Sequence, residues 1–185
     1  EAGLNHYFDP TCSAAWHVFR RESKDIIGFN YATWKYLNVD EQYAHGWDVQ
    51  FNKKIATALD TSVGYTHTTL DAEAGGTENA NGFVPKGLWK ITLNFVQPKY
   101  NLSLQGQGII DRPGQSAGVF PDDSYWLWNL ALNANIAKSA TAFVKVNNLL
   151  DKYYAEMSNA YYSGVSGDWY LSPGRNFLVG VKYRF

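Results

Sequence analysis

Gly114-Gln115-Ser116-Ala117-Gly118 has the Gly-x-Ser-x-Gly spacing that presents a nucleophilic serine on a sharp strand-to-helix turn. That chemistry needs an acid and a histidine later in the chain. All four histidines, His6, His17, His45 and His67, precede Ser116, and no helical periodicity follows it. The segment therefore reads as a glycine-rich loop, and no catalytic residue is expected. Asp71, Glu73 and Glu78 could share a calcium ion, but their spacing is not that of an EF-hand, and an acidic solvated loop accounts for them. No His-x-x-x-His pair occurs, so no metal site is expected. Cys12 is the single cysteine, which rules out an internal disulfide and a cysteine-rich zinc site. No cofactor is expected.

The remaining chemistry is aromatic and cationic. The stretch from Asp151 to Ser172 holds Tyr153, Tyr154, Tyr161, Tyr162, Trp169 and Tyr170. Rings on a loop can stack on a flat ligand, or equally pack on neighbouring loops. Tyr161, Tyr162, Trp169 and Tyr170 are the candidate ligand-contact residues. Arg112 and Arg175 could pair with an anionic ligand.

The elements carrying these residues have a period of two. Phe177, Val179, Val181, Tyr183 and Phe185 alternate with Leu178, Gly180, Lys182 and Arg184. Trp89, Ile91, Leu93 and Phe95 alternate with Lys90, Thr92 and Asn94. Trp126, Trp128, Leu130, Leu132, Ala134 and Ile136 alternate with residues that include Asn129, Asn133 and Asn135; Trp47, Val49 and Phe51 alternate with Asp48, Gln50 and Asn52. These are strand patterns. Nine segments are predicted, near 1–9, 13–30, 35–53, 56–71, 83–96, 99–112, 123–137, 139–150 and 173–185. Several exceed the ~5–6 residues usual in soluble strands and suit a tilted membrane strand of ~9–11.

Composition agrees. Lys plus Arg number 16 against 17 Asp plus Glu, so the basic excess of a nucleic-acid binder is missing. Mean hydropathy is -0.34 and no run approaches the ~18 apolar residues of a membrane helix. A barrel remains open, because lipid-facing and lumen-facing residues average out along each strand. Aromatics reach 16%, with seven Trp and thirteen Tyr. Trp89, Trp126 and Trp128 fall near loop-side strand ends, and Tyr183 and Phe185 near the opposite end, as an aromatic girdle at two water–lipid boundaries requires. Lys90, Asn94, Gln105, Gln107, Asn129, Asn133, Lys145, Lys182 and Arg184 would then line a solvated interior, as a substrate path or a plug contact.

Short and long connections alternate. The short ones are Asp9 to Cys12, Lys53 to Ile55, Gln97-Pro98 and Ala137 to Ser139. The long ones run from Glu22 to Trp34, Asp71 to Gly82, Arg112 to Asp122 and Asp151 to Ser172. Outer-membrane barrels have this asymmetry, with short periplasmic turns and long extracellular loops. Nine strands would leave two open edges in lipid, and no export signal precedes Glu1. The expectation is thus one domain, residues 1–185, that is part of a larger barrel.

Three features carry a resemblance. The chain ends in Tyr183-Arg184-Phe185. Ser172-Pro173-Gly174-Arg175-Asn176-Phe177 opens the last strand. The segment before reads Phe143 through Tyr154, with Asn148, Leu149, Asp151 and Tyr154 in an Asn-Leu-x-Asp-x-x-Tyr arrangement. Together these closely resemble the C-terminal signature of TonB-dependent outer-membrane receptors. Tyr36 to Val39 followed by Ala44-His45-Gly46-Trp47-Asp48-Val49 is similar to the family's Asn … Gly-x-Glu strand, with Asp48 where Glu is usual. Leu178 stands where a polar residue usually precedes Gly180.

The resemblance implies an all-β antiparallel transmembrane barrel of ~22 strands with a plugged lumen, of which this chain would hold about nine C-terminal strands without the plug. It implies Asn148, Leu149, Asp151, Tyr154, Pro173, Gly174, Arg175, Gly180, Tyr183 and Phe185 as signature and closure residues. It further implies an active-transport receptor, not an enzyme, in the outer membrane of a Gram-negative-type bacterium. The cargo would be a scarce, bulky nutrient: an iron–siderophore, haem or cobalamin. The implied partners are outer-membrane lipid, the plug and TonB, the barrel-assembly machinery through the last strand, and the small-molecule nutrient; no nucleic acid is among them. A passive porin and a soluble β-sandwich binding module are the competing readings.

Overall fold

The computed structural model describes residues 1–30, 34–73, 84–112, 122–158 and 169–185. Nine strands form one antiparallel sheet, β1 (Ala2–Asp9), β2 (Cys12–Asn30), β3 (Lys35–Ala56), β4 (Leu59–Glu73), β5 (Gly87–Val96), β6 (Tyr100–Ile110), β7 (Tyr125–Ala137), β8 (Ala140–Asn147) and β11 (Asn176–Tyr183). Each strand pairs with the next in sequence, except that β8 pairs with β11 across a small separate hairpin, β9 (Ala155–Ser158) with β10 (Trp169–Leu171). The nine predicted segments are the nine strands of the sheet.

Alternation gives the sheet two unlike faces. Paired residues share a face, so the register traces rows across strands. Leu4, Trp16, Val49, Tyr65, Trp89, Gly108 and Trp126 make one row from β1 to β7. Leu59, Phe95, Leu102, Leu132, Val144 and Val179 make another from β4 to β11. The opposite face carries rows such as Ser62, Thr92, Gln105 and Asn129. From Trp126 to Ile136 β7 rises about 34 Å along the strand, or about 25 Å along the normal at a tilt near 40°, the height of a lipid-facing band.

Among the described residues nothing covers the apolar face. Among the described residues the buried hydrophobic ones are Ile109, Tyr125 and Ala155 alone, while Phe177 and Val179 are 67% and 71% exposed. A β-sandwich would bury this face under a second sheet. A continuous apolar face of this extent instead requires a non-aqueous partner.

The structure corrects three connections. The stretch from Glu22 to Trp34 is mostly strand, because β2 and β3 stay paired out to Asn30 and Lys35. β4 likewise continues through Glu73. The stretch from Asp151 to Ser172 contains the β9–β10 hairpin. The first two errors share a cause. Beyond the row of Val18, Trp47 and His67 the apolar face turns polar, with Arg20, His45 and Thr69, then Glu22, Tyr43 and Asp71. In these rows the apolar residues give out and the period-two contrast weakens, so the sequence reading starts the connections at Glu22 and Asp71, too early. Arg20 lies over the Tyr43 ring at 5.8 Å, and Lys24 pairs with Glu22 at 2.8 Å, on this polar extension.

Candidate functional site

β8 ends at Asn147 because Asn148 takes a left-handed backbone, φ 50°, and Asp151 repeats it at φ 54°. Asn and Asp tolerate that region better than other side-chain-bearing residues. Asn148 is buried, and its polar atoms are all used. Its backbone N–H donates to Asn129 Oδ1 at 2.9 Å. Its Nδ2 donates to the carbonyls of Lys152 at 2.8 Å and Pro173 at 3.4 Å, and its Oδ1 accepts from the Lys152 N–H at 2.8 Å. One carboxamide thus holds both ends of the long connection. The Leu149 N–H donates to the Trp128 carbonyl at 2.6 Å, drawing the turn back over β7.

Asp151 makes the second link. Its Oδ1 accepts from the Arg175 N–H at 2.7 Å, and its Oδ2 lies 3.8 Å from Arg175 Nη2. A Cβ on Gly174 would lie 3.0 Å from Asp151 Oδ1, so glycine leaves space for the carboxylate to reach the backbone. Asn148, Asp151, Pro173, Gly174 and Arg175, distant in sequence, are therefore one clasp. Arg175 turns its charge to Asp151, which accounts for it without an anionic ligand.

A third link was not foreseen. Arg112 is 5% exposed. Its Nη1 donates to the Ala155 carbonyl at 2.8 Å and its Nη2 to that of Asp122 at 3.1 Å, and the guanidinium lies 5.2 Å from the Tyr125 ring centre. Burial lowers its pKa from the ordinary value, against opposing interactions with Tyr125, Glu156 and Asp122. Tyr154 packs on Tyr125 at 5.3 Å, and its carbonyl accepts from the Ser172 N–H at 3.0 Å. Burial, then the charge of Glu156, raises the Tyr154 pKa. Lys152 pairs with Asp122. Arg112 is thus an internal brace rather than a free anion ligand. These partners come from segments up to 43 residues apart, and no spacing rule connects them.

The other singled-out residues lie apart from the clasp. Gly180 sits on the polar face beside Phe143, where a Cβ would come within 2.5 Å of the ring. Tyr183 and Phe185 meet edge-on at 5.2 Å, at the turn end. Trp126 and Trp128 stack at 5.9 Å and lie across Gly108 and Gly106, where any Cβ would come within 2.8 Å of an indole. Trp89 contacts Tyr65 at 4.6 Å, and Tyr65 contacts Trp47 at 5.3 Å. The aromatics therefore form a band at the loop end of the apolar face. Of the candidate ligand-contact residues, Tyr170 is exposed and lies on β10, which Trp169 begins. Tyr161 and Tyr162 lie outside the described residues, as do Gly114 to Gly118 and Glu78.

The comparisons fit this geometry. Residues 1–149 match the family model described as TonB dependent receptor-like, beta-barrel. That match covers the strands preceding most of the signature, so it supports the family largely through other residues. The ferric-pyoverdine BN7/BN8 receptor of Pseudomonas putida is 26% identical over 164 residues, 84% of this chain and 19% of that protein. Among solved structures, the FrpB iron transporter of Neisseria meningitidis superposes with a TM-score of 0.71 at 16% identity, covering 99% of this chain and 29% of that one. The ferripyoverdine receptor of the Pseudomonas aeruginosa outer membrane gives 0.67 at 16% identity over 98% and 27%. The copper transporter OprC gives 0.73 at 15% identity over 99% and 30%. The chain spans about a fifth of its curated relative and under a third of these structures. The chain belongs to the family of TonB-dependent receptor β-barrels, proteins of the Gram-negative outer membrane.

Proposed function

We propose that residues 1–185 form part of the barrel of an outer-membrane receptor that imports a scarce nutrient at the expense of TonB, with an iron–siderophore complex as cargo. The observation that carries this reading is the relationship to a ferric-pyoverdine receptor across 84% of the chain. The fold alone does not choose the cargo, because the copper transporter OprC shares it equally well. In this reading the apolar face meets lipid, the aromatic band sits at the outer boundary, and the polar face lines the lumen. The clasp of Asn148, Asp151 and Arg175 then holds the β9–β10 connection on the extracellular side, with Tyr170 available to a flat ligand. Cargo binding and TonB contact belong to the complete receptor.

The test is uptake of radiolabelled ferric siderophores by iron-starved cells carrying the complete receptor, with and without TonB. The expected result is saturable uptake of at least one ferric siderophore that disappears without TonB. Uptake of small solutes that persists without TonB would instead make the barrel a passive porin.

A further inference from the structure

We propose that Arg112 is a positioning residue for cargo: it roots the β9–β10 hairpin on the lumen side of the wall, at the mouth of the barrel, and so sets how tightly cargo is held there. The inference rests on the transporter reading above. The polar face changes character at its loop end. Asp48, Thr66, Leu88, Ile109 and Tyr125 form one row on that face. On β6 and β7 the row is apolar and out of water, with Ile109 9% and Tyr125 6% exposed. The start of the hairpin lies against it: Tyr154 packs on the Tyr125 ring at 5.3 Å, and Ala155, the first residue of β9, is fully buried. The turn before it leans the same way. The Asn148 N–H donates to Asn129 Oδ1, and Asn129 lies in the polar row with Gln105 and Thr92. Both contacts bring the connection inward over the lumen, not outward over lipid.

Arg112 fixes where the hairpin stands. Its fork joins the Ala155 carbonyl at 2.8 Å to the carbonyl of Asp122, just ahead of β7, at 3.1 Å. Ala155 pairs with Leu171, and the Ser172 N–H donates to the Tyr154 carbonyl at 3.0 Å. A hold on Ala155 is therefore a hold on both strands at the base of the hairpin. A planar guanidinium keeps two acceptors in fixed relation, which an ammonium on a flexible stem does not. A buried cation is also costly to desolvate, and an apolar side chain of similar volume is often as stabilising. What the arginine adds is geometry rather than stability. Tyr170, next to Leu171 on β10, is 62% exposed, so cargo meets a ring whose backbone is already ordered.

The test uses the complete receptor with Cys12 replaced by serine and nitroxides at Leu171→Cys on the hairpin and Leu132→Cys on β7, both exposed positions. Arg112→Met keeps bulk against Tyr125 and removes the fork. It is expected to broaden the distribution of distances between the two labels. It should also weaken binding of the radiolabelled ferric siderophore identified by the uptake assay above roughly tenfold, about the cost of ordering one or two side chains. Uptake at saturating siderophore and the heat-modifiable gel mobility of the barrel should not change. Where Arg112→Met fails to assemble, Arg112→Lys, which keeps the charge and loses the fork, carries the same expectation. Unchanged label distances overturn the proposal, as do broadened distances with unchanged affinity. An affinity loss that comes only with lost barrel stability overturns it too, leaving Arg112 a structural residue. A wild-type receptor that binds no ferric siderophore overturns the transporter reading, and the label distances then decide separately whether Arg112 roots the hairpin.

Discussion

Asn148 is the residue with most resting on it. Replacing its carboxamide leaves a part-buried N–H and two carbonyls short of partners. Asn148→Ala also forces alanine into a left-handed backbone. The expected loss is about 3 kcal/mol, measured by urea unfolding of the complete receptor followed through heat-modifiable gel mobility. Asn148→Gly keeps the backbone and loses only the hydrogen bonds, so it should cost roughly 1 kcal/mol less. Equal losses would show that backbone strain plays no part. At the other end of the sheet, Asp9 accepts from the Thr11 hydroxyl and N–H, each at 2.6 Å, and from Lys53 at 3.3 Å. These contacts, Thr11 foremost, lower its pKa. A lowered carboxylate stabilises the fold above its unfolded pKa of about 4, and the contribution fades as pH falls through the lowered value. Asp9→Asn should remove that acid-side component from the pH profile of turn exchange, and an unaltered profile would contradict it. The signature residues were legible one by one as a pattern in sequence. That Asn148, Asp151, Gly174 and Arg175 touch was not, because hydrogen-bond partners across a long connection leave no periodic trace.

At the scale of the strand, sequence and structure agree wherever the two faces meet different media. β7 reads correctly from Trp126 to Ile136 because every second residue is apolar. Reading fails where the contrast vanishes, in the long connections drawn from Glu22 and from Asp71 over residues that are strand, and for β9 and β10, whose four and three residues are too short to set a period. The two faces make opposite demands. Leu104 lies on the apolar face between Leu93 and Leu130, and Gln105 on the polar face between Thr92 and Asn129. Leu104→Arg should cost about 2–4 kcal/mol of folding stability in vesicles, and Gln105→Arg close to none. Similar costs at both positions would mean the faces are not lipid and lumen. Gly106 and Gly108 are a strand-scale device as well, leaving space on β6 for the indoles of β7. Gly106→Ala should displace Trp128 and change its quenching by brominated lipids; unchanged quenching would mean that the ring stacks there without needing the space.

For the whole molecule the governing fact is an apolar face that none of the described residues covers. Its core is the membrane, so among the described residues the buried side chains, Ile109, Arg112, Tyr125, Asn148 and Ala155, gather at the loop end. Family and location follow from that architecture together with the match over residues 1–149. The cargo does not, since it depends on loops and on parts of the receptor beyond the region matched. The most direct test of the account is a nitroxide scan along β7, from Trp126 to Ile136, in the complete receptor reconstituted in lipid with Cys12 replaced by serine. Accessibility to oxygen and to a water-soluble nickel chelate is read at each position. The account requires the even-numbered positions to favour oxygen, in phase with the apolar face, and the odd-numbered ones not to. Even-numbered positions open to the nickel chelate would place that face in water and contradict the account.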